Sequence, residues 1–317
     1  MTKNIVVVGG GNGAAVSILA LKRNLSLFDI SAIIAMSDSG GSSGRLRKEF
    51  RTLPPGDILR AMLAMSKYDY YTLRQIFYER RYSKGKLDRH NLGNLFITLA
   101  THYGGSLAKT LQAFQLSLEC VGNVLPMSLD ATELCAEFVN GEIVYSEKDI
   151  DRPGKKNARN IIKKVWLDPQ PKIYPAAKKA LAEADYIILG PGSLYTSIIP
   201  NLLVKGFAAA LKKTKAKLVY ILGNGYESHG ENGSTTMAGF VENLQAYLPR
   251  QLDMVIYNTE DLGNKEKRFY VEKKWDVAER DITRLGKKYR LVGHPFERDG
   301  GGLSKEKLAE VFKMYFT

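Results

Sequence analysis

Three times in this chain an apolar run that reads as a β-strand ends in a glycine-rich turn and passes into a helix. Ile5-Val6-Val7-Val8 runs into Gly9-Gly10-Gly11-Asn12-Gly13-Ala14, and Ile30-Ser31-Ala32-Ile33-Ile34-Ala35 runs into Asp38-Ser39-Gly40-Gly41-Ser42-Ser43-Gly44-Arg45. Ile187-Ile188-Leu189 then runs into Gly190-Pro191-Gly192-Ser193. Apolar strands separated by helices imply parallel strands joined by crossovers, with both faces of the sheet covered. The fold class expected is therefore α/β. In open sheets of this kind ligands bind beyond the carboxyl ends of the strands, where all three turns lie.

Periodicity extends this pattern along the chain. Strands are expected over 4–8 and 29–36 with a helix over 14–23 between them, followed by helices over 57–82 and 91–114. From 119 to 167 the pattern shortens to strand-like runs over 121–127, 133–138, 142–145 and 161–166. Asn140-Gly141 is a hairpin signal there, because a type I′ turn needs positive φ at both central positions. This segment reads as a small antiparallel insert on one large domain, 1–317. The βα alternation resumes with a helix over 175–184, a strand over 185–189, a helix over 197–212, and strands over 217–222 and 253–258. A last amphipathic helix follows over 304–316, with Ser304 as its cap.

No apolar run reaches the ~18 residues of a membrane span, and the chain starts without the pattern of a signal peptide. The only cysteines, Cys120 and Cys135, make no CxxC pair, so a cytoplasmic protein without membrane insertion is expected. The four histidines, His90, His102, His229 and His294, lie far apart, and no metal site is assigned. A net charge of +13 favours anionic partners. Yet the basic pairs, among them Lys155-Lys156, Lys212-Lys213 and Lys287-Lys288, are scattered as on solvated faces, which leaves nucleic acid a minor alternative.

The first turn matches GxGxxA through Gly9, Gly11 and Ala14; with Gly10, Asn12 and Gly13 it can offer a phosphate the free N–H groups of a helix start, or it can serve only as a tight turn. In the second turn Gly40, Gly41, Ser42 and Ser43 can present N–H and hydroxyl donors and Arg45 a guanidinium fork, while Asp38 sits where an acid could bind ribose. A Gly/Ser stretch can also be a linker, but this one lies inside a regular strand–turn–helix progression. Asp57 in Leu53-Pro54-Pro55-Gly56-Asp57 can cap a helix or face the cleft. His90 and Asn94 share a helix face and are either cleft residues or a satisfied helix start. Gly190, Pro191, Gly192, Ser193, Tyr195, Thr196 and Ser197 rim the same edge. No acid/base constellation stands out; Asp38, Asp57 and His90 are the candidates for catalysis.

Taken in order, the glycine turn, SDSGGSSGRLR, LPPGD, HNLGN and GPGSLYTSIIPNLL resemble the CofD-like family, in particular its YvcK-type branch of gluconeogenesis factors. The resemblance implies a three-layer Rossmann-like fold and a cytoplasmic protein that binds a nucleotide sugar such as a UDP-sugar, or a dinucleotide such as NAD(P). It implies a role in carbon metabolism linked to cell shape and cell-wall synthesis, hence a protein partner there, and leaves a homo-oligomer open. CofD enzymes transfer a phospholactate group from an activated nucleotide with a divalent metal, so magnesium and a transferase activity are the alternative expectation. Asn201 joins the ligand set through the GPGSLYTSIIPNLL match, and Tyr270 and Arg298 fall where the family places uridine-nucleotide recognition. The chain departs from the branch at Ser39, at Leu59-Arg60, and over 222–236, where only Gly230-Glu231 echoes the usual pattern.

Overall fold

The computed structural model describes residues 2–152, 160–227 and 233–317. The echo at Gly230-Glu231, His229 and the pair Lys155-Lys156 lie outside them. Twelve strands are present among the described residues: β1 Lys3–Gly9, β2 Phe28–Ile34, β3 Asn123–Pro126, β4 Glu133–Phe138, β5 Ile143–Tyr145, β6 Ile162–Asp168, β7 Tyr186–Leu189, β8 Lys217–Leu222, β9 Gly225–Glu227, β10 Met254–Asn258, β11 Trp275–Val277 and β12 Arg290–His294. Seven form one parallel sheet in the order β12-β10-β8-β7-β1-β2-β3. The expected parallel α/β sheet is thus present.

The sheet is buried on both faces. Ile5, Val7, Ala32, Ile34 and Ile188 point into one core with the helix α1 (Gly11–Leu21), while Val6, Val8, Ile33, Ile187 and Leu189 point into the other. This is the two-residue alternation of a strand with an apolar layer on either side. The chain builds outward from β1 through β2 to β3, then returns to β7 on the other side of β1 and continues to β8, β10 and β12. The direction of growth reverses between β1 and β7, and crossovers leaving to opposite faces there open a crevice at the carboxyl edge.

Several expected elements break where local chemistry interrupts the period. The helix expected over 57–82 stops at Met65 (α3, Gly56–Met65, preceded by α2, Gly41–Phe50), because Ser66 turns its hydroxyl to Leu118 O and accepts from Tyr68 N. Asp69 then caps a new short helix, Tyr70–Arg74, through Thr72 N at 2.8 Å. The helix expected over 91–114 becomes two, Leu92–Gly104 and Leu107–Ser117, separated at Gly105, whose φ of 70° suits glycine. The helix expected over 197–212 is likewise divided, into Leu194–Ile198, Ile199–Leu202 and Phe207–Lys213. The antiparallel insert is real but smaller than expected. Its sheet is β5-β4-β6, whereas β3, from the 121–127 run, pairs in parallel with β2 as an edge of the main sheet.

Candidate functional site

At the carboxyl edge, the turns after β1, β2 and β7 are bonded to one another. Asn201 Nδ2 donates to Gly9 O at 3.3 Å and to Ser197 O at 2.9 Å, and Ala35 N donates to Gly9 O at 3.0 Å. Ser17 Oγ reaches Gly190 O at 3.3 Å. Gly13 packs so closely that a Cβ there would lie 1.7 Å from Pro191 O. Its glycine is required by contact between two turns. Asn201 is fully buried and acts as a strut beneath the turns rather than as a contact for a ligand.

Over these turns opens a cleft of about 800 Å³. Of the residues singled out in the sequence, Gly10, Gly11, Asn12, Gly13, Asp38, Asp57, Pro191, Gly192, Ser193, Thr196, Ser197, Tyr270 and Arg298 line it. Helix α1 begins here at Gly11, with Gly10 as an N-cap that has no side-chain bond to the helix, so its first amides are not capped by a side chain.

Most of the second turn lies behind the wall. Ser43 Oγ accepts from Gly56 N at 3.1 Å, and Ser42 Oγ pairs with His90 Nδ1 at 2.9 Å, both in buried surroundings. Arg45 turns outward and donates to Asp88 O at 2.7 Å. Gly40, Gly41, Ser42, Ser43, Arg45, His90 and Asn94 are therefore not among the residues lining the cleft; neither are Gly9, Gly190 and the buried Tyr195. Ser43 ties this turn to the start of α3, and Ser42 ties it to His90, just ahead of the helix Leu92–Gly104. Burial and the nearby Arg45 charge lower the His90 pKa.

The cleft floor is acidic. Asp38 accepts from Gly40 N at 2.8 Å, and burial, followed by the charge of Asp57, raises its pKa to about 6. Asp57 pairs with Arg60 at 2.5 Å, and Arg60 also reaches Asn12 Oδ1 at 3.3 Å. The insert contributes two further acids from the short helix Glu147–Asp151. Glu147 accepts from Ser39 N at 3.1 Å, and burial and Asp38 push its pKa up to about 8; burial and Glu227 push Asp151 to about 6. Among the described residues no group of three His, Cys, Asp or Glu side chains forms a ready-made metal site.

Across the cleft stands an aromatic wall. Tyr226, Phe269, Tyr270 and Trp275 line it, with Trp275 6.1 Å from the rings of both Phe269 and Tyr270. The Tyr270 hydroxyl donates to Glu297 Oε1 at 2.8 Å and the residue is buried, so Tyr270 backs the neighbouring rings rather than offering a face of its own. Burial and Glu297 raise the Tyr270 pKa, and burial raises that of Glu297. Glu297 is further held by Asn258 Nδ2 at 2.8 Å and Asn224 Nδ2 at 3.2 Å. Arg298 donates to Gly301 O at 3.0 Å and lies 5.8 Å from the Phe269 ring centre.

The CofD profile, described as 2-phospho-L-lactate transferase CofD, matches residues 5–294. The chain belongs to the CofD family. Among its relatives are gluconeogenesis factors of Halalkalibacterium halodurans, 37% identical over 90% of this chain and 87% of that one, and of Bacillus subtilis, 36% identical over 89% and 86%. A solved structure from Bacillus halodurans, described as a member of the UPF0052 family, superposes with a TM-score of 0.89 at 31% identity and covers 99% of both chains.

Within this CofD-family site, Arg60, Glu147, Asp151, Tyr226, Phe269 and Trp275 were not singled out from the sequence as site residues. Arg60 had a usable signal, since it lies three residues from Asp57 on a helix and therefore on the same face. The acids of the insert and the aromatic residues arrive by tertiary packing and carry no local motif.

Proposed function

We propose that this cleft binds a nucleotide sugar, or a related dinucleotide, and that the protein is a cytoplasmic ligand-responsive regulator of carbon metabolism with a link to cell shape and wall synthesis. One observation carries the reading: the N-terminus of α1, without a side-chain cap, and an aromatic wall line the same cleft. The helix start suits a diphosphate, the rings of Phe269 and Trp275 suit a base, and Ser193, Thr196 and Ser197 suit the hydroxyls of a sugar. The name gluconeogenesis factor carried by relatives supports the metabolic setting. Calorimetry with UDP-sugars and NAD(P) tests it: saturable heat is expected, and no heat from any of them at millimolar ligand would overturn it.

A second reading, a magnesium-dependent transferase of a phospho-acid or nucleotidyl group, is favoured by Asp38 and Asp57 facing the same cleft. Both are oxygen donors, and burial and the charge of Asp57 raise the Asp38 pKa, which suits a hard cation that takes one or two carboxylates and fills its shell with water and phosphate oxygens. Magnesium bound there would neutralise charge on a transferring phosphate. Asp38 and Asp57 would hold it, Arg60 would keep Asp57 oriented, and the α1 amides would bind the remaining phosphate oxygens. Formation of a phosphate ester from an activated nucleotide donor and an alcohol acceptor, dependent on magnesium, is the test; absence of product across donors and acceptors removes this reading and leaves the first.

A further inference from the structure

Outside the cleft, the helix Leu92–Gly104 turns an apolar stripe toward solvent. Leu92, Phe96, Leu99 and Tyr103 are 42%, 46%, 38% and 83% exposed. Spaced by four, three and four residues, they lie on one helical face about 16 Å long. The Phe96 ring touches Phe114 of the next helix at 4.8 Å.

Cations fringe this stripe on two sides. The segment leading into the helix carries Arg80, Arg81, Lys84, Lys86 and Arg89, all exposed. It is folded back on the helix start by Tyr82 N to His90 O at 3.0 Å and Arg89 N to Tyr82 O at 2.7 Å. Along the other side runs α2. Arg45 bonds to Asp88 O at one end, and the Phe50 and His102 rings meet at 5.8 Å at the other. Arg45, Lys48 and Arg51, all exposed, thus lie beside the stripe. The acids nearby are Glu49, Glu79 and Asp88, and the last two are paired with Arg74 and Arg89.

We propose that this face docks on an anionic lipid bilayer, with the protein lying on the membrane surface. Lysine and arginine beside protruding leucine and aromatic side chains are the two components of interfacial adsorption: charge meets acidic headgroups, and the apolar tips enter the headgroup boundary. Self-association through this face would set its cations against each other, since a two-fold contact pairs a patch with itself. Nucleic acid would satisfy the cations but gives no role to Leu92 and Leu99, because single strands are held by stacking on aromatic rings and arginine. Among the described residues no helix is long and apolar enough to cross a membrane, so the docking is peripheral. The inference is independent of what the cleft binds.

The test is co-sedimentation of the full chain with vesicles of phosphatidylcholine alone or mixed with phosphatidylglycerol, at low and high salt. Binding is expected only to the mixed vesicles and should weaken as salt rises. Each lysine near an acidic surface contributes about fivefold in affinity, so the triple variant Lys48→Glu, Lys84→Glu, Lys86→Glu should lose on the order of 100-fold or more. Tyr103→Ser with Leu92→Ser should remove most of the binding that survives high salt. Both variants change exposed side chains and should keep the wild-type thermal midpoint, which separates lost docking from lost folding. Equal binding to phosphatidylcholine alone, indifference to the charge reversals, or binding of single-stranded RNA without any binding to vesicles would each overturn the proposal.

Discussion

Arg60 closes on Asp57 at 2.5 Å across three residues of α3, and both side chains are largely shielded from water on the cleft floor. Removing one partner of a shielded pair leaves the other charge uncompensated, which costs about 3–5 kcal/mol in buried settings. Arg60→Met is therefore expected to lower unfolding stability by about that amount in a urea titration, more than Asp57→Asn with Arg60→Met together. A double variant no more stable than Arg60→Met would show that the pair is not coupled.

The raised carboxylates make the ligand-free protein sensitive to pH in a definite direction. Glu147 is pushed up to about 8 and Asp151 to about 6, so between pH 4 and these values the folded state holds protons that the unfolded state has released. The contribution of these two acids to stability then falls as pH rises through this window, because its slope follows their excess protons in the unfolded state, which is negative here. The thermal midpoint is expected to drop between about pH 4 and pH 8. For Glu147 the loss is at most about 5 kcal/mol, one pKa unit being about 1.4 kcal/mol. Glu147→Gln should flatten the upper half of this profile; a variant profile parallel to wild type would show that Glu147 does not titrate there.

What was legible in the sequence follows from the range of the forces involved. Apolar alternation and glycine turns are local, so β1, β2, β7, β8 and β10 and the edge where their turns gather could be read directly. Ser304 is an equally local signal, and it caps the last helix through Lys307 N. The second glycine turn shows the limit. Its donors suit an anion, yet Ser42, Ser43 and Arg45 are engaged by His90, Gly56 and Asp88, partners 13 to 48 residues away that no local pattern reveals. Likewise β3 reads like the strands that follow it, and only its pairing with β2 assigns it to the main sheet.

Gly13 tests whether the turns work as one unit. A Cβ at this position would lie 1.7 Å from Pro191 O, a backbone atom that cannot move aside without shifting the third turn. Gly13→Ala should cost about 1–3 kcal/mol, the range for forced overpacking, and should weaken ligand binding more than Gly41→Ser, which alters a turn residue outside the cleft lining. Equal affinity in the two variants, measured by calorimetry, would separate the first turn from the ligand.

Trp275 offers a direct report on the aromatic wall. The chain has two tryptophans, and Trp166 lies on β6 of the insert while Trp275 lines the cleft. A base packed against Phe269 and Trp275 would change the indole's surroundings, so titration with a UDP-sugar is expected to alter tryptophan emission in the wild type and in Trp166→Phe. In Trp275→Phe the change should vanish while calorimetric heat persists, since a phenylalanine still presents an aromatic face. If Trp275→Phe keeps the emission change and Trp166→Phe loses it, the base is not held by this wall, and the insert becomes the element that responds to ligand.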